Sequence, residues 1–368
     1  MKKQIWIPIL IIAVIIVGLI IFLPKTEISK EKQTIKIGVL APLTGNSASM
    51  GEGVKNGVLL AKEQMDIADK KYNYEIILED DKAEPQTVAI ALQKLINIDK
   101  VDALISMGGV SGNFVAPITQ ENKIVHVGNT NSIGVAKGEF NFIHWTQPKE
   151  YSEAWIKKAK KEELTRVAVL AYNNPAALDI INALKEDIKN QGIEIVSENI
   201  FNVDEKDFRT MIMKAKKASP DVYIIGAFSP TLELLAKQLK ELGVDKPLTG
   251  FQAFEFTKQV DLFEGQWYSA TPNPSEEFTV AYNEKYKKTP IFTAPPAYDA
   301  FNLIVTAFEK SGKNSKTKPI SKEVVNAFLG IKNFPGMLGT LNVDEQGIIH
   351  SPAIIKKVEN GKFLQIND

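Results

Sequence analysis

The chain contains no cysteine. That excludes disulfides, a thiol nucleophile and thiolate-bound zinc, and with them a lipid anchor carried on a processed cysteine. Arginine is almost as scarce. Arg166 and Arg209 are the two present, so bidentate clamps for phosphate are few. Charge of one sign is not in excess either: 44 basic residues balance 44 acidic ones, which removes the electrostatic footprint of a nucleic-acid binder. The three histidines, His126, His144 and His350, lie far apart and none stands in HxxxH spacing, so no metal is expected. No cofactor is expected, and GxSxG, HExxH and a Gly-rich dinucleotide fingerprint are all missing. The paired carboxylates of Glu79-Asp80-Asp81 have no such partner motif and read as a solvated strand end. The chain is therefore not expected to be an enzyme.

What is present is an ordinary globular balance, 44% hydrophobic and 24% charged, over 368 residues, enough for two lobes plus an appendage. The appendage comes first. Lys2 and Lys3 precede an apolar run from Ile5 to Leu23, closed by Pro24-Lys25. This run is longer than a signal-peptide core of about 7–15 residues and Phe22-Leu23-Pro24-Lys25 offers no small-residue cleavage pair. Residues 1–25 are therefore expected to be one N-terminal transmembrane helix, a signal anchor. Residues 26–33 form a short polar tether, and the head is expected on the extracytoplasmic side of the cell membrane.

From Thr34 onward, short β-branched runs alternate with helical periodicity, the pattern of an α/β fold with parallel sheets and crossover helices. Strands are expected at Ile35–Leu40, Tyr74–Leu78, Ala103–Ile105 and Ile124–Val127, with helices at Val54–Asp66, Pro85–Ile98 and Phe114–Glu121 between and after them. A second series begins after Pro148 and runs to about Ala270. Beyond it come helices at Glu276–Tyr286, Ala297–Lys310 and Ser321–Leu329, then a hairpin with its turn at Asp344–Gly347.

Parallel sheets bind ligands beyond the carboxyl ends of their strands. Gly108-Gly109-Val110-Ser111-Gly112 leads into a helix, where free backbone N–H groups and the dipole suit an anion and Ser111 adds a hydroxyl donor. The same residues also read as a plain helix start with glycine for the turn. Gly128-Asn129-Thr130-Asn131 follows the next strand and, on its own, is turn chemistry.

Seven segments together resemble the extracellular ligand-binding family that contains the leucine/isoleucine/valine-binding proteins, with the type I periplasmic-binding fold. They are IKIGVLAPLTG, MGEGVKNGVLLA, DALISMGGVSG, VHVGNTNS, EKDFRTMIMKAKKASPDVYIIGAFSP, PPAYDAFNLIVTAFEKSG and GTLNVDEQGI, in the family's order, covering essentially everything from Thr34 to the end. The resemblance implies two doubly wound parallel-sheet lobes, 34–147 with 272–350 and 148–271 with 351–368. They would be joined by a three-segment hinge near His144–Lys149, Ala270–Asn273 and Ser351–Ile354. It implies a receptor that captures a small-molecule ligand by hinge closure and delivers it to the permease and ATPase subunits of an ABC importer. A ligand-sensing head of a signalling complex is the alternative.

The resemblance also implies ligand contacts. In lobe one they fall on Gly109, Ser111, the carbonyl of Gly128, and Thr130. In lobe two they fall on Phe228, Ser229 and Gln252, and Tyr298 matches a further cleft position. Several positions depart from the family. Asn173-Asn174-Pro175-Ala176 lacks the strand-end aromatic, Trp145 stands where an arginine is usual, and Gln252 replaces the acid that pairs with a ligand ammonium. A neutral amide cannot make that charge-assisted bond, though Glu255 lies three residues on. Two ligand classes stay open, an amino acid of the branched-chain type and a neutral polar solute such as an amide or urea.

Overall fold

The β-branched runs form strands because both faces of each sheet are covered, so near-continuous apolar stretches are buried whole. A computed structural model describes residues 32–312 and 316–366. The first series gives β1 (Thr34–Ala41), β2 (Asn73–Asp80), β3 (Ala103–Met107), β4 (Val125–Asn129) and β5 (Asn141–His144). Helices α1 (Ala48–Asp66), α2 (Pro85–Gln93) and α3 (Gly108–Asn122) connect the first four strands, and a single helical turn, Ile133–Ala136, precedes β5. The second series gives α4 (Pro148–Lys161), β6 (Arg166–Tyr172), α5 (Pro175–Asp187), β7 (Glu194–Phe201) and α6 (Arg209–Lys217). It continues with β8 (Val222–Gly226), α7 (Thr231–Glu241), β9 (Leu248–Gly250) and β10 (Trp267–Ala270). Then follow α8 (Glu276–Tyr286), α9 (Ala294–Ser311), α10 (Ser321–Leu329), β11 (Phe334–Gly336), β12 (Gly339–Val343), β13 (Ile348–His350), β14 (Ile354–Glu359) and β15 (Lys362–Gln365).

These strands make two sheets, one of eight strands in the order β11-β12-β13-β5-β4-β3-β1-β2 and one of seven in the order β15-β14-β10-β9-β8-β6-β7. The two lobes of the expected α/β fold are built on them. Within each, the five strands of one series are parallel and share one winding, β2-β1-β3-β4-β5 and β7-β6-β8-β9-β10. The expectation of purely parallel sheets needs correction, because both sheets are mixed. The strands beyond β5 and β10 are hairpin strands: β11–β12, β12–β13, β10–β14 and β14–β15 all pair antiparallel. Short turns join β11 to β12, β12 to β13 and β14 to β15, where a parallel pairing would need a crossover of a dozen or more residues; β14 instead returns to β10 from the other sheet, and β13 pairs parallel with β5. The hairpin expected at Asp344–Gly347 forms, with the Asp344 carboxylate accepting from the N–H groups of Gln346 and Ile348 at 2.9 Å each.

The predicted anchor at 1–25 and all but the end of the tether lie outside the described residues. Among the described residues no helix is long and apolar enough to cross a membrane.

Helices α1, α3 and α9 begin earlier than their periodicity predicts. In α1 the segment read as loop is helical, and its Gly53, with Gly57 one turn on, lets α9 approach. A Cβ on Gly53 would land on the Thr293 hydroxyl, and one on Gly57 on the Ala294 carbonyl. In α3 the GGVSG stretch is itself the first turn. Around sheet one, α1, α9 and α10 cover the face carrying Ile35, Ile37 and Val39, while α2 and α3 cover the other. Around sheet two, α4 and α5 lie on one face over Trp155 and Trp267, whose rings are 5.8 Å apart, and α6 and α7 on the other.

The chain passes between the sheets after His144, after Ala270 and after His350. The third passage is tied on both sides. His350 Nδ1 meets Glu150 Oε1 in the first turn of α4 at 2.5 Å, and Nε2 meets Asp344 Oδ2 in the β12–β13 turn at 2.9 Å. Glu150 first and Asp344 after it outweigh burial, which disfavours the charge, and push the imidazole up to about 9, so it is charged at neutral pH.

Two predictions follow from these contacts. Gly57→Ala should cost about 1–3 kcal/mol by forcing α1 off α9, read from urea unfolding at unchanged m. His350→Gln should lower the unfolding midpoint below pH 6.5, where the raised folded-state pKa gives its full stabilisation, and the gap to the parent chain should vanish as pH rises through about 9.

Candidate functional site

A strand order of this kind leaves a crevice at the carboxyl ends of the strands, where successive connections leave the sheet on opposite faces. In sheet two the crevice is entered by the end of β8, by α5 and by the segment after β9. In sheet one it is entered by the turns after β1 and β4. The two crevices share one cavity of about 300 Å³. Sheet two supplies Gly226 to Phe228, Phe251 to Ala253, Phe256, and Ala177 and Ile180 of α5, with Tyr151 from α4. Opposite them stand Met50, Asn131, Phe292 just before α9, and Trp145 at the first passage between sheets. A hollow of about 470 Å³ beside Lys158 and Asp245 is larger, but residues of one lobe alone line it and most of them are charged or polar. The cavity between the sheets is the candidate site.

Rings dominate its walls and form a row across it. Trp145 meets Phe292 edge-on at 5.8 Å, Phe292 meets Phe256 at 5.1 Å, and Phe256 stacks on Phe228 at 6.2 Å. All lie within the 4.5–7 Å of favourable ring pairs, each worth about 0.5–1.5 kcal/mol beyond its buried area. Phe228 and Phe256 nevertheless stay 39% and 37% exposed, unlike the core phenylalanines, so their remaining faces are free to meet a solute.

The polar groups are few and mostly engaged. Gln252 Oε1 accepts from the Tyr151 hydroxyl and from Thr271 Oγ1, both at 2.7 Å. Burial pushes the Tyr151 hydroxyl well above its usual value, so it stays a donor. Glu255 does not reach the site as a free charge: its carboxylate is held by Lys356 Nζ at 2.8 Å and by the Tyr268 hydroxyl at 3.4 Å. Near Phe228, Glu233 accepts from Ser229 Oγ at 2.6 Å and Thr257 Oγ1 at 2.5 Å. Burial works against its charge, but the two hydroxyls outweigh it and hold the carboxyl below the usual range.

The structure brings some of the expected ligand contacts together and sets others apart. Phe228 and Gln252 line the cavity, and Ser229 adjoins it with its hydroxyl committed to Glu233. Gly109 sits in the opening turn of α3, its carbonyl accepting from Asn113 Nδ2 at 2.7 Å. Ser111 is fully buried and donates to Asp81 Oδ2 at 2.8 Å, so its hydroxyl is spent within the protein. Gly128 lies in β4 where a Cβ would press on Val135 at 2.9 Å, and its carbonyl accepts the Thr130 N–H at 3.0 Å. Thr130 Oγ1 in turn accepts the Ser132 N–H at 3.1 Å. Tyr298 is outside the cavity. It donates to Gln64 on α1 and packs edge-on against Phe278 at 5.3 Å.

The residues that sequence reasoning missed are Tyr151, Phe251, Phe256 and Phe292. An aromatic on a helix or beside a strand end is more often core, as Phe254 in the same run is, and nothing in FQAFEF separates the lining rings from the buried one. Asn174, in the segment that lacks the family's aromatic, caps α5 by accepting the Ala177 N–H at 2.9 Å. The three histidines form no common site. His126 sits between Ser106 and Asn141 with its pKa pushed down to about 4 by burial, His144 faces Asp299 at 3.4 Å, and His350 ties the third passage.

Known proteins share this architecture. The Leu/Ile/Val-binding protein homolog 3 of Brucella melitensis is 26% identical over 351 residues, 90% of this chain and 93% of that protein. A leucine-binding protein from Thermotoga maritima has a TM-score of 0.74 at 22% identity, covering 90% of this chain and 98% of its own. A solute-binding protein of an ABC transporter from Rhodopseudomonas palustris, solved with 3,4-dihydroxybenzoic acid, has a TM-score of 0.74 at 24% identity, covering 90% and 96%. At these identities the two structures show a common fold. The family described as periplasmic binding protein matches residues 34–362, nearly the whole of both sheets and their helices, and the chain belongs to that family.

Proposed function

We propose that this chain is an extracytoplasmic solute-binding receptor that captures a small molecule between its lobes and passes it to the permease and ATPase of an ABC importer. The observation that carries the reading is the ring-lined cavity assembled from strand ends of both sheets. A solute seated there touches both lobes at once, which is what a ligand must do to favour a closed state over an open one. The relative from Brucella melitensis bears the name of a Leu/Ile/Val-binding protein, and a branched apolar side chain suits walls of this kind. Amide or urea-like solutes suit Gln252.

The rigid bodies of the motion are residues 34–147 with 272–350 and residues 148–271 with 351–368. The three passages between them act as hinge. The head is held at the membrane by residues 1–25, with 26–33 as tether. We assign the site no chemical step: among the described residues, none lining the cavity carries a charge, so an acid–base pair is not to hand.

Small-angle scattering should show compaction at saturating ligand, and an unchanged profile for a solute that binds would count against hinge closure. A ligand at one hundred times its dissociation constant should stabilise the fold by about 2.7 kcal/mol. Phe256→Ala should weaken binding by about tenfold, the loss of roughly one ring contact. Deleting residues 1–25 should move the protein from the membrane fraction to the soluble one.

A further inference from the structure

The electrostatics of the cavity narrow its ligand further than the receptor reading alone, on which this inference rests. An amino acid brings an ammonium, and an ammonium taken out of water needs a carboxylate or several acceptors around it. Acids stand near the cavity but not in its walls. Glu255 is neutralised by Lys356 at 2.8 Å, and Glu233, near Phe228, takes Ser229 and Thr257 on Oε1 while its Oε2 is buried with no partner among the described residues. Gln252 faces the cavity in their place. Its Oε1 is occupied by Tyr151 and Thr271, and its Nε2 has no protein acceptor among the described hydrogen bonds. Beside its rings the site presents the Gln252 Nε2 donor and the Asn131 amide but no charged side chain, and the ligand has to bring an acceptor for Gln252 and apolar surface.

We infer that the solute is an apolar or aromatic molecule with a carbonyl or carboxyl oxygen and no ammonium, the amine-free counterpart of an apolar amino acid. Its body lies in the row formed by Trp145, Phe292, Phe256 and Phe228, and its oxygen accepts from Gln252 Nε2. The ammonium that separates an amino acid from such a molecule finds no counter-charge among the lining residues.

Matched ligands test this, because size and shape stay constant while the amine changes. Isothermal titration of the full chain would compare leucine with isocaproate and isocaproamide, and phenylalanine with hydrocinnamate and hydrocinnamamide. The amine-free members should bind at least about tenfold more tightly, the effect of one unpaired charge at minimum. The acid and amide arms then show whether the acceptor oxygen is carried on a charged group. Gln252→Glu keeps the acceptor for Tyr151 and Thr271 and adds a negative charge, so it should shift preference toward the amino acids. Amino acids that bind as tightly as their amine-free counterparts, or more tightly, overturn the inference and leave the receptor reading intact. No binding by any of the six compounds overturns both.

Discussion

The central constraint is topological. Each sheet winds its parallel strands so that connections leave on opposite faces on either side of the first strand, and no helix can cover the strand ends at that point. Two such openings face each other because the chain returns to each sheet after visiting the other. The return strands explain the antiparallel additions at one edge of each sheet. They extend the sheets without closing the crevice, since they join on the side away from β2 and β7. Everything specific to this protein is then set by which side chains the loops drop into that opening.

Those side chains give the opening an unusual balance. No carboxylate lines it: Glu255 nearby is held by Lys356, and Glu233 spends one oxygen on Ser229 and Thr257. Asp81 shows how a carboxylate elsewhere is taken up within the fold. It is buried, and burial pushes its carboxyl up against the lowering influence of the Ala83 N–H and the Ser111 hydroxyl. An acid placed there also occupies the start of α3, where the sequence alone points to an incoming anion. The positive end of the helix is served from within the fold.

Much of the fold was legible in the sequence because it depends on period and punctuation. Runs such as VAVLA and VYIIG could be nothing but buried strands once helices flanked them. The site was legible only in part. Phe228 and Gln252 could be placed because they follow strand ends in a known order, but Ser111, Thr130 and Tyr298 turned out to have partners that the linear sequence does not reveal. A hydroxyl looks available until its acceptor, 30 residues away in the case of Asp81, is brought beside it. The lining rings were hidden for the opposite reason: Phe256 and Phe254 differ in exposure through the turn of one short helix, and composition carries no trace of that.

The row of rings has one member pair that belongs to different lobes, Phe256 and Phe292. Separating the lobes at the cavity therefore parts an apolar contact, while the charged His350–Glu150 contact lies at the third passage. Apolar association weakens on cooling and is little screened by salt, whereas ion pairs at a surface behave the other way toward salt. Under the hinge closure proposed above, the cavity's share of the balance between open and closed states follows temperature: cooling favours the open state.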